Sequence, residues 1–261
     1  MKMMKKLAAA LLAMTMALAL CACSGKSAGV TTVEEGKLHM STNAAFPPYE
    51  MTRDDGGFEG IDVEVAEAIA KKLGLELVVD DMGFTAALMA VQNGESDIAM
   101  AAITVKPDRL EVMDFTDSYA TGVQVVVVKE DSPIQTLDDL GSARMIGCQA
   151  DTTGYFYCSD TPENGGYGED HVTAYDTGAL AIMDLVAGTI DAVVIDNGPA
   201  QAYVAANPGL KILDTEYAVE DYAIAVKKGN TALLDAVNKA LAELKADGTF
   251  QGIVDKYIKA D

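Results

Sequence analysis

The sequence predicts an α/β fold of two lobes, each with its own mixed, mostly parallel sheet, joined by two crossing segments. Three observations lead to this prediction. Short apolar runs that look like strands alternate with helical stretches, which is typical of α/β proteins. A pattern of eleven residues recurs at an offset of 94 residues. Two extended runs, near 119–129 and 217–222, lie where the chain would pass between lobes.

In the first half of the chain, hydrophobic spacing predicts strands and helices in alternation. The predicted strands are 37–42, 76–80 and 98–101, and the predicted helices are 61–73 and 84–93. The helix at 61–73 has an apolar face, and Lys71, Lys72 and Gly74 follow in the order expected at the C-terminal end of a helix.

The second half of the chain continues the same alternation. A strand is predicted near Met145 and another at 192–195, with helices at 178–187 and 199–206. A last helical stripe of leucine and valine residues runs from Leu233 to Leu244 and stops at Asp247 and Gly248.

The recurring pattern comprises residues 87–97 and 181–191. In each copy a helix ends at a glycine, the chain turns, and an apolar strand follows an aspartate. We infer that each copy belongs to a separate lobe and that the two lobes have like topology. They would form a hinged clamshell with a ligand cleft between them. A chance similarity in an alanine-rich chain is the alternative.

The N-terminal segment is predicted to be a signal peptide at 1–22. Three lysines precede an apolar run at 7–20, which is too short for a transmembrane helix. The run ends in Leu20-Cys21-Ala22-Cys23, which resembles the lipobox of bacterial lipoproteins. The resemblance implies lipidation of Cys23 and a lipid anchor in the bacterial cell membrane. An ordinary cleaved signal peptide is the alternative. Residues 23–35 are mostly small and polar, so we expect a flexible lipidated tether.

The composition narrows the classes of partner. Half of the residues are hydrophobic, which excludes a disordered chain. The net charge of −21 disfavours nucleic acid, because like charges repel. His39 and His171 are isolated in the sequence, so no metal site is predicted, and no cofactor is expected. Cys148 and Cys158 could form a disulfide in an exported protein or remain in the core as thiols.

Seven stretches of sequence then point to one family. In chain order they are 43–50 (NAAFPPYE), 60–64 (GIDVE), 103–109 (ITVKPDR), 114–119 (DFTDSY), 151–154 (DTTG), 191–196 (DAVVID) and 244–250 (LKADGTF). Together they resemble the amino-acid-binding solute receptors of ABC importers, the polar amino acid type of solute-binding protein family 3. The resemblance implies the type II periplasmic-binding fold, with 36–121 plus 222–261 in one lobe and 122–221 in the other.

The resemblance also implies the two residues that hold the ends of the ligand. Arg109 offers a planar fork that suits a carboxylate, and the family arginine at this position binds the ligand's carboxylate. Asp196 follows an apolar strand, and its family counterpart binds the ammonium group. A surface arginine and a helix-capping aspartate are the alternatives. Because the two charges lie in different lobes, the ligand would favour closure.

The remaining site residues follow from the same resemblance. Thr104, Thr152 and Thr153 are expected to donate hydrogen bonds to the ligand. Many relatives have glycine where Asp151 stands, so this chain departs from the family pattern at that position. Phe46 is expected to cover the ligand side chain, and Tyr49 belongs either to the same wall or to the core. The other expected lining residues are Asn43, Ala101, Ala102, Gln149 and Ile195. Because a neutral Asn43 cannot balance a buried cation, we expect an uncharged ligand side chain.

We therefore expect a monomeric, extracytoplasmic, lipid-anchored receptor that binds a free amino acid and delivers it to an ABC permease. The expected partners are the amino acid, the permease subunits and the membrane. The alternatives are an enzyme such as a dehydratase built on the same clamshell, and the sensor domain of a receptor. Catalysis would need an acid or base in the cleft, for which Glu50, Glu59 and Asp151 are the candidates.

Overall fold

A computed structural model describes residues 30–214 and 216–258 of the chain. The predicted signal peptide at 1–22 and the predicted lipidation site at Cys23 lie outside these residues. None of the helices in the described part combines the length and apolar character that crossing a bilayer requires.

Strands and helices alternate through most of the described chain. The strands are β1 (Lys37–Thr42), β2 (Ala45–Phe46), β3 (Glu50–Thr52), β4 (Phe58–Glu59), β5 (Glu76–Asp81), β6 (Ile98–Ala99), β7 (Met113–Phe115), β8 (Ala120–Lys129), β9 (Ile146–Gln149), β10 (Val172–Tyr175), β11 (Ala192–Asp196), β12 (Leu210–Ile212), β13 (Ala218–Tyr222) and β14 (Ala225–Lys227). The α-helices are α1 (Ile61–Leu73), α2 (Phe84–Asn93), α3 (Pro107–Val112), α4 (Thr153–Ser159), α5 (Gly178–Ala187), α6 (Asn197–Ala206), α7 (Thr231–Ala246) and α8 (Thr249–Tyr257). Short 3₁₀ turns lie at Asp138–Ser142, Pro162–Asn164 and Glu169–His171.

Two sheets organise the molecule into two lobes. The first lobe is built on a five-stranded sheet in the order β5-β1-β6-β14-β7, and the second on a sheet in the order β10-β9-β11-β8-β12. Strand β13 pairs with β8 beside this second sheet, and β2, β3 and β4 form a small separate sheet. The fold is therefore the predicted two-lobed α/β clamshell.

Both sheets are mixed, and in the same way. In the first, β5, β1 and β6 run parallel, whereas β14 is antiparallel to β6 and β7. In the second, β10, β9 and β11 run parallel, whereas β8 is antiparallel to β11 and β12. In each sheet the antiparallel strand is one that follows a passage of the chain from the other lobe.

The two crossing segments lie side by side. Strands β8 and β13 pair antiparallel from Ala120 with Tyr222 to Gln124 with Ala218. These two paired strands, here called the ribbon, coincide with the two extended runs that were expected to cross between the lobes. The exact division into 36–121 plus 222–261 and 122–221 would fall inside the ribbon and stays a prediction.

The eleven-residue pattern that recurs at an offset of 94 residues has the same structure in both lobes. Helix α2 ends at Gly94 and α5 ends at Gly188, and both glycines adopt the left-handed conformation that only glycine adopts without strain. The aspartates that follow make matching contacts as well. Asp97 accepts a hydrogen bond from the backbone N–H of His39, and Asp191 accepts one from Arg144. The copies are therefore structurally equivalent turns.

Helix α1 packs against α7 in the core of the first lobe. Val65 and Ile69 on α1 and Val237 on α7 are fully buried, so the apolar faces expected from the sequence meet each other. Burying side chains of this size contributes about 1.5–3 kcal/mol each. Helix α1 ends at Leu73 with Gly74 in the left-handed conformation, as the sequence predicted.

Residues 30–35 differ from the flexible tether expected at 23–35. Val30 packs against the core of the first lobe, and the backbone N–H of Val33 donates a 2.8 Å hydrogen bond to Asp97. Glu34 contacts Lys37 and His39. Asp97 has two carboxylate oxygens, and this side chain therefore fixes both β1 and the segment before it. Of the predicted tether, residues 23–29 lie outside the described part.

The two remaining cysteines lie in the core of the second lobe. Cys148 and Cys158 are fully buried free thiols. Of the two possibilities that the sequence left open, the structure has the core thiols.

Candidate functional site

A cavity lies between the two lobes, with an empty volume of about 480 Å³ including its mouth. Most of the residues predicted for the site line this cavity. They are Asn43, Phe46, Ala101, Ala102, Thr104, Arg109, Gln149, Thr152, Thr153, Ile195 and Asp196. The structure therefore brings together residues spread over more than 150 positions of the sequence.

Arg109 lies in the first turn of α3, and its side chain is only 5% exposed. The guanidinium donates to the backbone carbonyl of Thr104 at 2.9 Å and to that of Asp151 at 3.0 Å. Within the described residues no carboxylate lies within 4.0 Å of it. Burial lowers the pKa of Arg109, although nearby acids oppose this effect. Arg109 is thus a buried cation without an anionic partner among the residues that the structure describes.

Asp196 is the last residue of β11 and caps helix α6. It is 2% exposed and accepts hydrogen bonds from the backbone N–H groups of Gly198 and Val123 and from the Tyr222 hydroxyl. Burial raises the pKa of Asp196, and these donors oppose the rise. No cationic group in 30–214 or 216–258 forms a salt bridge with it. The capping role considered from the sequence is real, and it leaves the carboxylate in the cavity wall.

Arg109 and Asp196 therefore place a buried positive charge and a buried negative charge in the cavity wall, from opposite lobes. Burying an unpaired charge is costly, because the protein interior solvates ions poorly. A ligand with both a carboxylate and an ammonium group would relieve both costs. Arg109 and Asp196 provide the complementary charges for such a ligand.

The threonine hydroxyls make contacts that the sequence did not predict. Thr104 and Thr153 both donate to Oε2 of Glu220 at 2.9 Å, and the Gln124 side-chain amide donates to the same atom at 3.2 Å. Thr152 donates instead to the carbonyl of Gln149 and caps α4. These hydroxyls line the cavity, but in this structure protein groups accept their hydrogen bonds. Glu220 lies in crossing strand β13, and nothing in its local sequence indicates which residues it meets.

Direct contacts join the two lobes around the cavity. The Gln149 side-chain amide donates to Asn43 at 3.0 Å, and the Tyr203 hydroxyl donates to the carbonyl of Ala45 at 3.0 Å. Thr85 donates to the Asp151 carboxylate at 2.5 Å. The structure is therefore a closed form of the clamshell.

The aromatic wall differs in part from the expectation. Phe46 lines the cavity, but Tyr49 lies behind it in the core, with ring centroids 6.1 Å apart, and is 5% exposed. Tyr49 is thus not a residue of this cavity wall. Phe84, which sequence reasoning missed, lines the cavity, with its ring centroid 5.5 Å from the Arg109 guanidinium carbon. The sequence feature that could have identified Phe84 is an aromatic residue in the first position of a helix that follows a parallel strand.

Two residues at the cavity have left-handed backbones although they are not glycine. Ala102 has φ +47° and Asp151 has φ +60°. Residues with a β-carbon rarely adopt this conformation, which explains why a glycine would suit the position of Asp151. The strain lies where the backbone turns to meet the ligand cavity.

Glu50 and Tyr222 also line the cavity and were not among the expected ligand-binding residues. From the sequence, Glu50 was considered only as a possible catalytic acid or base. In the part of the chain that the structure describes, no three His, Cys, Asp or Glu side chains are placed to hold a metal ion.

Comparisons with known proteins give a consistent result. The model of the bacterial extracellular solute-binding proteins, family 3, matches residues 38–260. A protein of Neisseria gonorrhoeae named "Probable histidine-binding protein" is 32% identical, covering 98% of this chain and 96% of that one. An arginine-binding extracellular protein of Bacillus subtilis is 31% identical, covering 99% and 100%. Among solved structures, an ancestral arginine-binding protein bound to glutamine is 36% identical, with a TM-score of 0.79, covering 87% and 100%.

Proposed function

The chain belongs to the bacterial extracellular solute-binding proteins of family 3, and from this premise we propose that it is a receptor that captures one free amino acid between its lobes. It is an amino-acid-binding protein of the ABC transporter type and not an enzyme. In the proposed binding mode, Arg109 holds the carboxylate and Asp196 the ammonium group. The closed lobes then exclude water from both contacts.

One observation supports this assignment more than any other. Arg109 and Asp196 are both at least 95% buried, face one cavity from opposite lobes, and lack an oppositely charged partner within 4.0 Å among the described residues. An α-amino acid supplies both missing partners in one molecule. Only the closed form offers both charges to it, so binding and closure favour each other.

The ligand proposed has an uncharged side chain. Asn43 lines the cavity as a neutral amide that donates to the carbonyl of Met82 and accepts from Gln149. Phe46 and Phe84 add aromatic surface to the same cavity. This lining suits a polar, uncharged or apolar side chain better than an ammonium or guanidinium, whose desolvation would be costly.

The proposed biological role includes a membrane anchor and a partner. Lipidation of Cys23 would hold the receptor at the outer face of the cell membrane, because two acyl chains bury enough methylene groups for stable anchoring. From there a monomeric receptor would deliver its amino acid to an ABC permease. The lipobox in the sequence supports the anchor, and the family supports the permease.

Calorimetric titration of the protein lacking residues 1–22 tests the binding proposal. The ligands are the twenty amino acids and cystine. We expect at least one free amino acid to bind, and its N-acetyl and amide derivatives to bind far more weakly, because each derivative removes one charge. Absence of binding, or equal binding of the blocked derivatives, would contradict the proposal.

The anchor is tested in the full chain by cell fractionation. Cys23→Ala should release the protein from the membrane, whereas the matched control Cys21→Ala should leave it attached. The reverse result would show that Cys21 carries the lipid, and release of neither variant would contradict a lipid anchor.

A further inference from the structure

Two acids lie next to each other at the edge of the amino-acid cavity. Glu50, on β3, is 1% exposed and lines the cavity, and Asp62, in the first turn of α1, is fully buried behind it. The backbone brings the two residues together, because the N–H of Asp62 donates a 2.8 Å hydrogen bond to the carbonyl of Tyr49, the residue before Glu50. Two carboxylates cannot share a hydrogen bond unless one of them carries a proton.

Donor groups are distributed unequally over this pair. Asp62 Oδ2 accepts hydrogen bonds from the backbone N–H of Ala102 at 3.0 Å and from the Tyr119 hydroxyl at 2.7 Å. Among the described residues, Glu50 Oε2 and Asp62 Oδ1 receive no hydrogen bond from a donor group. A proton on Glu50, donated to Asp62, would give the pair the hydrogen bond it lacks.

The charged groups that raise the pKa of Glu50 are three acids on different elements. Asp62 on α1, Asp196 at the end of β11 and Asp81 at the end of β5 all disfavour its charged form. The phenol groups of Tyr49, Tyr119 and Tyr203 face the same acids and are neutral at physiological pH. In the described chain no lysine, arginine or histidine forms a salt bridge with Glu50 or Asp62.

The direction of the pKa shifts agrees with this geometry. Burial, followed by the charge of Asp62, raises the pKa of Glu50 well above its ordinary value. Burial raises the pKa of Asp62 only to about 6, because the Ala102 N–H and the Tyr119 hydroxyl donate to its carboxylate. These shifts favour Glu50 over Asp62 as the residue that holds the proton.

We propose that Glu50 and Asp62 hold one proton between them, and that this proton decides whether the cavity accepts a second positive charge. With the proton in place, the cavity contributes Arg109 and Asp196 as its charged groups, which match a zwitterion with a neutral side chain. An amino acid with a cationic side chain binds as the Glu50 carboxyl loses its proton to the solvent. The ligand half of this proposal rests on the proposed function; the proton pair does not.

The pair itself can be tested without any ligand. Infrared spectroscopy of the protein at neutral pH should detect the carbonyl band of a protonated carboxylic acid, and Glu50→Gln should remove it. The amide of this variant still donates to Asp62, so we expect it to fold. The matched control is Glu220→Gln, since Glu220 is a buried carboxyl held by three donors and not by a second acid. A wild-type protein without the band, or a band that survives in Glu50→Gln, overturns the proposal.

Stability against pH gives a second, independent test. Because the folded pKa of Glu50 lies above its unfolded value, the folded protein retains a proton that the unfolded chain loses above about pH 4.5. Wild-type stability should therefore fall, relative to Glu50→Gln, as the pH rises from there. In this range the ratio of the two unfolding constants should change by up to about tenfold per pH unit. Parallel urea-unfolding profiles of the two proteins would contradict a proton on Glu50.

The consequence for ligands is tested with glutamine and arginine as probes at pH 6 and pH 8. In the wild type, the affinity for arginine relative to glutamine should rise with pH by up to about tenfold per unit. In Glu50→Gln the ratio should stay low at both pH values. A ratio that does not change in the wild type, or the same rise in the variant, overturns the ligand half. If neither probe binds, the ligand half fails, whereas the infrared and unfolding measurements still decide the pair. The proposed function is decided separately, by the titration with all twenty amino acids and cystine.

Discussion

The guanidinium of Arg109 on the first lobe donates a 3.0 Å hydrogen bond to the backbone carbonyl of Asp151 on the second. Asp151 presents this carbonyl from a left-handed backbone with φ +60°. The residue proposed to hold the ligand's carboxylate is thus also a direct link between the lobes. In the proposed binding mode, ligand affinity and lobe closure would therefore depend on the same side chain.

The backbone at Asp151 predicts an order of stability among its variants. Asp151→Ala keeps a β-carbon in the left-handed conformation, whereas Asp151→Gly removes that strain. We expect Asp151→Gly to exceed Asp151→Ala in free energy of unfolding by about 1–2 kcal/mol. Both variants lose the contact with Thr85, so the comparison is matched. Urea unfolding measures the difference, and equal stabilities would mean that the turn adopts another backbone conformation in solution.

Replacing Glu220 is expected to weaken the closed form of the two lobes. Its Oε2 accepts hydrogen bonds from Thr104 of the first lobe and from Thr153 and Gln124 of the second. Glu220→Ala leaves these buried donors without their acceptor, which should cost about 1–3 kcal/mol of stability. We expect a larger radius of gyration for the ligand-free variant in X-ray scattering, because the closed form loses a contact between the lobes.

The matched control for this variant is Glu216→Ala, since Glu216 is an exposed acid in the stretch that precedes β13. It should leave both the stability and the radius of gyration at their wild-type values. If Glu220→Ala scatters like the control, the contact with Glu220 does not favour closure.

Replacing Asn43 with an acid is expected to change which amino acids bind most tightly. Asn43→Asp keeps an oxygen that accepts from Gln149 but places a negative charge in the cavity wall. Arginine and lysine should therefore gain affinity relative to glutamine, because a buried carboxylate offsets the desolvation of a cationic side chain. Competition titration measures the ratios, with Asn43→Ser as the uncharged control. An unchanged ranking of the amino acids would place the ligand side chain away from Asn43.

Much of the fold follows from local sequence. The bounds of α1, α2 and α5 were predicted to the residue, because an apolar face and a glycine in the left-handed conformation mark where each helix ends. Strand β6 is shorter than expected and ends at Ala99. The apolar run continues beyond it, but the chain turns at Ala102 with a positive φ that hydrophobic spacing cannot reveal.

The candidate site was predictable to a smaller extent. Arg109 and Asp196 lie in recognisable motifs, and the structure places both in one cavity. Glu220 and Phe84 were missed, because their partners lie far away in the sequence and are brought near only by the packing of lobes. The sequence left Tyr49 open between the cavity wall and the core, because neighbouring aromatic residues do not reveal which of them faces a cavity. The structure places it in the core.

The central claim is that Arg109 holds the ligand's carboxylate, and titration of Arg109→Ala with the tightest-binding amino acid tests it most directly. Removing one partner of a buried charged pair costs about 2–5 kcal/mol, so affinity should fall by roughly 30-fold to several thousand-fold. Arg109→Lys keeps the charge but loses the planar fork, and we expect an intermediate loss. Ligand-free melting temperatures near the wild-type value would show that the variants fold. An affinity of Arg109→Ala within threefold of the wild type would contradict the account.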